Sequence, residues 1–196
     1  MAESDTDELQ LFRRIRKGDE RAFAVLYERH QGRIFRFVLH MTGNQSIAEE
    51  VTQEAFMLLI RKPTTYNPDK GPLSAYLFGI ARNLAHRATR NNSFQVSFPD
   101  SDEFDQPTSS DSDIVQLLST SEDLDSLRKA LLALPEPYRE AIVLCDLQEM
   151  SYEQAAGIMQ CSVGTVASRL HRAHTMLKTR LSHIAASNRE KRNSHA

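Results

Sequence analysis

The 196-residue sequence contains no tryptophan, only two cysteines, seven glycines and seven prolines. Cys145 and Cys161 make neither a disulfide framework nor a CxxC metal pair, and both read as small core or turn residues. The scarcity of glycine and proline argues against a turn-rich β architecture, and the abundance of helix formers points to an all-α fold. No run of 18 apolar residues is present, so no segment reads as a membrane-spanning helix and no membrane insertion is expected. Met1-Ala2-Glu3-Ser4-Asp5 is acidic where a secretory signal would be basic and then apolar, and a cytoplasmic protein is expected. Nucleophile–base sets, metal clusters and glycine-rich phosphate loops are also missing, so neither catalysis nor a cofactor is expected.

What is present is a strong segregation of charge. The net charge is only -2. Yet residues 1–90 carry 14 Lys/Arg against 11 Asp/Glu, residues 91–126 carry nine Asp/Glu and no Lys/Arg, and residues 161–196 carry seven Lys/Arg and one Asp/Glu. The basic end suits phosphate and the acidic middle repels it.

Hydrophobic periodicity divides the chain into two small helical domains. A four-helix N-terminal bundle is expected over residues 1–90. Its first helix shows Leu9, Phe12 and Ile15 at helical spacing. The second runs from about Glu20 to Met41 with Phe23, Leu26, Tyr27, Ile34, Val38 and Met41 inward, and Gly43-Asn44 stops it. The third starts at a capping-box pattern of Ser46 and Glu49, buries Ala48, Val51, Ala55, Leu58 and Leu59, and ends at Pro63. After a turn-rich loop the fourth runs from about Leu73 to Arg90, with Leu77, Ile80, Leu84 and Ala88 inward. Residues 91–121, rich in Ser, Asp and Pro, read as a flexible acidic linker. A second domain over residues 122–184 is broken by Leu134-Pro135-Glu136-Pro137, after which a helix is expected from Tyr138 to Leu147. Residues 185–196 read as a frayed, disordered tail.

The strongest local pattern in the second domain is a helix-turn-helix. Ser151 caps a short helix with Ala155 and Ile158 inward, and the small Ala155 and Ala156 allow a close crossing. Met159-Gln160-Cys161 makes the turn, and Ser162 caps a second helix striped by Val166, Leu170 and Ala173. That stripe leaves Thr165, Ser168, Arg169 and Arg172 on the outward side, with His171 beside them. A helix of this kind can enter the major groove, where Arg pairs with guanine and hydroxyls reach bases or phosphates. His171 and His174 near Cys161 lack the further ligands a metal site requires. On the fourth helix Arg82, His86 and Arg90 line up at i, i+4 and i+8, with Asn83 and Arg87 alongside, a stripe suited to DNA.

Ala48-Glu-Glu-Val-Thr-Gln-Glu-Ala-Phe-Met-Leu-Leu-Ile, then Tyr66-Asn-Pro-Asp-Lys-Gly-Pro-Leu-Ser-Ala-Tyr, then Leu134-Pro-Glu-Pro-Tyr-Arg-Glu-Ala and Gly164-Thr-Val-Ala-Ser-Arg-Leu-His-Arg-Ala stand in one order. In that order they resemble the sigma-70 family of RNA polymerase sigma factors, of the small extracytoplasmic-function kind (group 4). The resemblance covers about residues 9–90 and 122–182. It implies a transcription initiation factor that binds core RNA polymerase and directs it to promoters. Glu50, Gln53 and Glu54 would dock on the β′ clamp, and the second domain would engage the β flap. Tyr66, Asn67, Asp69 and Lys70 would capture a flipped base of the −10 element, with Arg82, Asn83, His86, Arg87 and Arg90 on its DNA. Thr165, Ser168, Arg169, His171 and Arg172 would read the −35 element. The acidic linker would thread toward the RNA exit channel, and an anti-sigma protein is a further partner the family suggests. Ile60 and Tyr76 stand where Trp is common and read as core variation, while Gly79 and Ala167 replace basic residues. The other reading is a polymerase-independent helix-turn-helix repressor or activator, which would dimerise on palindromic DNA.

Overall fold

In a computed structural model the chain is described over residues 2–90 and 121–193, and all secondary structure among the described residues is helical. The acidic linker read over 91–121 lies outside them except for Ser121.

The first module contains α1 (Ala2–Ile15), α2 (Glu20–Thr42), α3 (Gln45–Arg61) and α4 (Leu73–Arg90). Asp19 caps α2: its carboxylate accepts from the Arg21 and Ala22 N–H groups at 3.0 and 3.1 Å, satisfying donors that have no intrahelical partner. At the other end Gly43 adopts the left-handed conformation (φ 65°) and its N–H donates to Leu39 O. The N-cap of α3 is Asn44, whose side chain accepts from Ile47 N–H. Ser46, expected to cap this helix, already lies within it. The Asn44 side chain reaches the open N–H groups two residues earlier, and Glu49 bonds Gln45 instead.

Phe37, Phe56 and Phe78 are fully buried where α2, α3 and α4 meet, with Leu26, Ile34, Leu59, Leu73 and Leu77 around them. Each such side chain contributes about 1.5–3 kcal/mol of burial. Phe37 meets Phe78 edge-on at 5.3 Å. The buried stripe of α4 is Leu73, Leu77, Phe78, Ala81 and Ala85, rotated from the expected one, since Ile80, Leu84 and Ala88 are only half-buried. One polar pair lies inside, His30 hydrogen-bonded to Glu8 at 2.9 Å and joining α1 to α2.

The second module contains α5 (Ser121–Leu132), α6 (Glu136–Ile142), α7 (Tyr152–Met159) and α8 (Val163–Asn193). α6 starts at Glu136, earlier than expected, because Pro137 falls in the first turn, where its missing N–H costs nothing. The helix then widens into a π turn, Val143–Leu147, closed by Gln148 N–H donating to Val143 O at 3.0 Å. α8 continues beyond Ile184, where the expected helix ends, to Asn193. Ala185, Ala186, Arg189, Glu190, Lys191 and Arg192 favour helix, and neither Gly nor Pro interrupts them.

The relative placement of the modules, which the sequence leaves open, is a docked one. The buried apolar cluster includes residues of both. Arg33 of α2 donates to Gln148 O at 2.7 Å. Leu132 of α5 closes on Gly43 so tightly that a Cβ there would lie 2.7 Å from Leu132 Cδ1. Gly43 therefore serves both its left-handed turn and this contact.

Candidate nucleic-acid and polymerase interface

α3 buries Ala48, Val51, Thr52, Ala55, Phe56 and Leu59. Glu50 and Gln53 are exposed on its other side, and Glu54 is half-buried with Arg61 3.9 Å away. Met57 and Ile60 are also exposed, at 38% and 40%. The reading of Ile60 as a core position is thereby corrected: it points away from the stripe and extends the acidic face with apolar area. Leu58 is half-buried, and Phe56, which the sequence reading omitted, takes the inward place.

The loop from Lys62 to Pro72 is built by side chains expected to face DNA. Tyr66 is buried, its ring edge-on to Phe12 at 4.9 Å, and its hydroxyl donates to Gly71 O at 3.1 Å. Its place is that of an anchor for the loop. An apolar ring beside Phe12 gains more from burial than from exposure, and the hydroxyl still finds an acceptor. Asn67 accepts from Asp69 N–H at 3.0 Å in an Asx turn. Asn67, Asp69 and Lys70 remain exposed. Tyr76 is half-buried against Tyr66, with its hydroxyl hydrogen-bonded to that of Thr65.

α4 divides its polar residues between two directions. Asn83, Arg87 and Arg90 are exposed. Arg82 and His86 face α6 instead. The Arg82 guanidinium is ion-paired with Glu140 and bonded through Nη2 to Oε2 at 3.3 Å, and His86 Nε2 lies 3.3 Å from Glu136 Oε1 without hydrogen-bond alignment. The expected stripe of Arg82, His86 and Arg90 is thus split. The first two are covered by Glu140 and Glu136, which stand one turn apart on α6. That i, i+4 acidic pair is visible in the sequence and was the signal available for this contact.

The helix-turn-helix forms α7 and α8. Ser151 caps α7 in a reciprocal capping box with Gln154. The turn passes through Gln160 in the left-handed region (φ 56°, ψ 44°). Ser162 Oγ accepts from Thr165 N–H at 3.1 Å, capping α8 as expected. Ala155, Ile158, Val166, Leu170, Ala173 and Leu177 are buried. Of the five residues expected on DNA, His171 is exposed, whereas Thr165, Ser168, Arg169 and Arg172 are half-buried. The hydroxyls are partly satisfied locally, Thr165 with Ser162 and Ser168 donating to Thr165 O at 3.0 Å. Arg169 and Arg172 are engaged within the chain. From the π turn, Asp146 is paired with His174 at 2.6 Å. Among the described residues no three His, Cys, Asp or Glu side chains converge as a metal site would need, and no helix is long and apolar enough to cross a membrane.

Two helical modules, the second carrying a doubly capped helix-turn-helix, define a protein of the DNA-binding helical class. Residues 26–95 match Sigma-70 region 2, and residues 124–177 match Sigma-70 region 4. The chain is 30% identical over 188 residues to the ECF RNA polymerase sigma-E factor of Escherichia coli K12, covering 92% of this chain and 97% of that one. It is 32% identical over 179 residues to the RNA polymerase sigma-H factor of Pseudomonas aeruginosa, covering 84% and 88%. It is also 31% identical over 153 residues to the ECF sigma factor SigE of Mycolicibacterium smegmatis, spanning 59% of that protein's length.

Among solved structures, the sigma factor RpoE of Bartonella quintana, crystallised with the anti-sigma factor NepR, superposes with a TM-score of 0.62 at 27% identity, covering 82% of this chain and 96% of that one. CnrH in complex with the cytosolic domain of CnrY shares the fold, with a TM-score of 0.68 at 24% identity over 91% of this chain and 98% of that one. The chain belongs to the extracytoplasmic-function sigma factors of the sigma-70 family, which serve promoter recognition by RNA polymerase and are not enzymes.

Proposed function

We propose that the modules divide the work by surface. The outer face of α3 docks on the β′ clamp of core polymerase through Glu50, Gln53 and Glu54, and the second module meets the β flap. Asn67, Asp69 and Lys70 of the loop, with Asn83, Arg87 and Arg90 of α4, handle the −10 element, and Tyr66 holds that loop in shape. Arg82 and His86 join them once α6 has moved away. Thr165, Ser168, Arg169, His171 and Arg172 take the −35 element. The observation that carries this division is the α3 face: acidic groups lie beside large apolar side chains, Met57 and Ile60, that no part of the described chain covers. Such a mixed patch fits a protein partner better than DNA.

An anti-sigma protein that covers these surfaces is the regulatory partner that fits the family, and the working location is the cytoplasm, with the polymerase. Purified chain plus core polymerase tests the assignment in a run-off assay on promoters recovered by sequencing DNA bound to the tagged protein. Glu54→Arg should lose core binding first. Arg169→Ala and Arg172→Ala should keep core and lose −35 dependence. Identical defects in a core pull-down would refute the division. Specific DNA binding as a self-dimer without core would favour an independent regulator.

A further inference from the structure

Asn67, Asp69 and Lys70 stand exposed on an arc of the loop whose two ends are tied together, because the Tyr66 hydroxyl donates to Gly71 O at 3.1 Å. Inside the arc the bonds are few. Lys70 N–H donates to Asn67 O at 3.1 Å, Gly71 N–H to Pro68 O at 3.3 Å, and Asp69 N–H to the Asn67 side chain. A single 3₁₀ turn of this kind holds its shape weakly. The arc therefore depends on where the Tyr66 ring is held, and the ring is held from outside the loop. Phe12 of α1 meets it edge-on at 4.9 Å, and Tyr76 of α4 lies 5.3 Å away.

The attachment of α1 is itself distant from the loop. Glu8, one turn before Phe12, is buried with its Oε1 2.9 Å from His30 Nε2 of α2. Glu8 Oε2 and His30 Nδ1 are buried without a further hydrogen bond. A buried pair so incompletely satisfied adds little net stability, yet deleting one partner strands the other. Its effect is on where α1 lies along α2. The match to Sigma-70 region 2 starts at residue 26, so α1 stands ahead of it.

We propose that α1 is a positioning element for the −10 loop: Glu8 and His30 set the register of α1, Phe12 holds the Tyr66 ring, and the ring keeps residues 67–70 in the shape that captures a base. This inference rests on the assignment of that loop to −10 DNA. Phe12, Glu8 and His30 touch no DNA in this scheme and act only through Tyr66. When α1 is loosened the loop spreads over other shapes, and its apparent affinity for a separated strand falls by the fraction left in the capturing one.

The test uses the full-length chain assembled with core polymerase. The probe is a fluorescein-labelled fork of a promoter recovered from bound DNA, duplex through the −35 element and single-stranded over the non-template −10 strand. Forks carrying an abasic residue at one −10 position are compared with the intact fork by anisotropy. The position with the largest wild-type preference for the intact fork is then used. Tyr66→Phe removes one hydrogen bond and should lower that preference about fivefold. Glu8→Ala, remote from the loop, should lower it as well, and Phe12→Ala should lower it most. Asn44→Ala weakens the same module at the cap of α3 and should keep the preference. Core binding in a pull-down should match wild type throughout.

Circular dichroism checks folding, and Tyr66→Phe with Glu8→Ala carries the test if Phe12→Ala does not fold. A preference retained in either of those two variants overturns the relay and leaves the loop's assignment to DNA standing. An equal loss in Asn44→Ala reduces α1 to a stabiliser of the module and overturns it too. A wild type that binds every abasic fork as tightly as the intact one overturns the relay and the assignment of the loop together.

Discussion

The Arg82–Glu140 pair allows a quantitative prediction. At the 3.3 Å separation of Nη2 and Oε2, two unit charges attract by about 5 kcal/mol at an effective dielectric constant of 20. Removing a nearly buried carboxylate and a mostly buried guanidinium from water costs several kcal/mol each, so the intact pair contributes little net stability. Deleting one partner is different. Glu140→Ala leaves a buried guanidinium uncompensated, for which about 3–5 kcal/mol is expected.

That figure is an upper bound here, because the module contact can open and rehydrate Arg82. The loss cannot exceed the docking free energy plus the pair's own share. The double variant Arg82→Ala/Glu140→Ala should therefore be milder than the sum of the single variants by about 2 kcal/mol or more. Urea unfolding followed by helical circular dichroism measures it, since the chain has no tryptophan to report by fluorescence. A second, earlier transition in Glu140→Ala would mark module separation before unfolding. Additivity of the two single variants within about 0.5 kcal/mol would refute the coupling and the account of docking built on it.

Other consequences are local. Asn44→Ala should destabilise the first module by about 1 kcal/mol in the same unfolding assay, whereas Ser46→Ala, one residue inside α3, should be nearly silent. Burial, and secondarily Asp146, pushes the Cys145 thiol up to about 11 from its ordinary 9.0. In a Cys161→Ser variant at pH 8 it should hold about a hundredth of the thiolate of an ordinary cysteine and label with an aromatic disulfide about that much more slowly. Rapid labelling would contradict the burial. His40 is held below its usual 6.5 by burial first, then by Arg128 of α5 and Arg36. The unfolded chain therefore takes up its proton first as pH falls through 6.5, and stability declines from there down to the folded value. His40→Gln should flatten the urea midpoint between pH 7.5 and 5.5 relative to wild type.

Much of the fold is written in local chemistry. The stops at Gly43 and Pro63, the caps at Ser151 and Ser162 and the stripe of Val166, Leu170 and Ala173 all depend on neighbours within a turn or two, and the sequence reports such interactions well. Asn44 was missed because two capping signals two residues apart, Asn44 and Ser46, compete, and only backbone geometry decides between them. The α4 stripe was misjudged by a fraction of a turn. Its inward residues include Ala81 and Ala85, whose small size is set by the helices they meet rather than by hydropathy. The place of Tyr66 was not legible either: an aromatic in a polar loop carries no local sign of its packing, and Phe12, fifty-four residues earlier, lies edge-on to its ring.

The docking of the modules was hidden for a deeper reason. A basic stripe on α4 and an acidic pair on α6 are each complete signals when read separately, and each has an obvious external partner or none at all. Nothing in a single helix says whether its charges are meant for solvent, for nucleic acid or for another helix of the same chain. Spacing is the one common element: Arg82 to His86 and Glu136 to Glu140 both advance by four residues, so one rotation brings both pairs into register. A helix that must recognise a regular polyanion is for that reason open to imitation by any acidic helix with the same repeat. In a sigma factor whose two helical modules share one chain, the nearest such helix is always present at high effective concentration. Under the proposed assignment of α4 to promoter DNA, any change at Arg82 bears on two partners at once, because its guanidinium is already paired with Glu140.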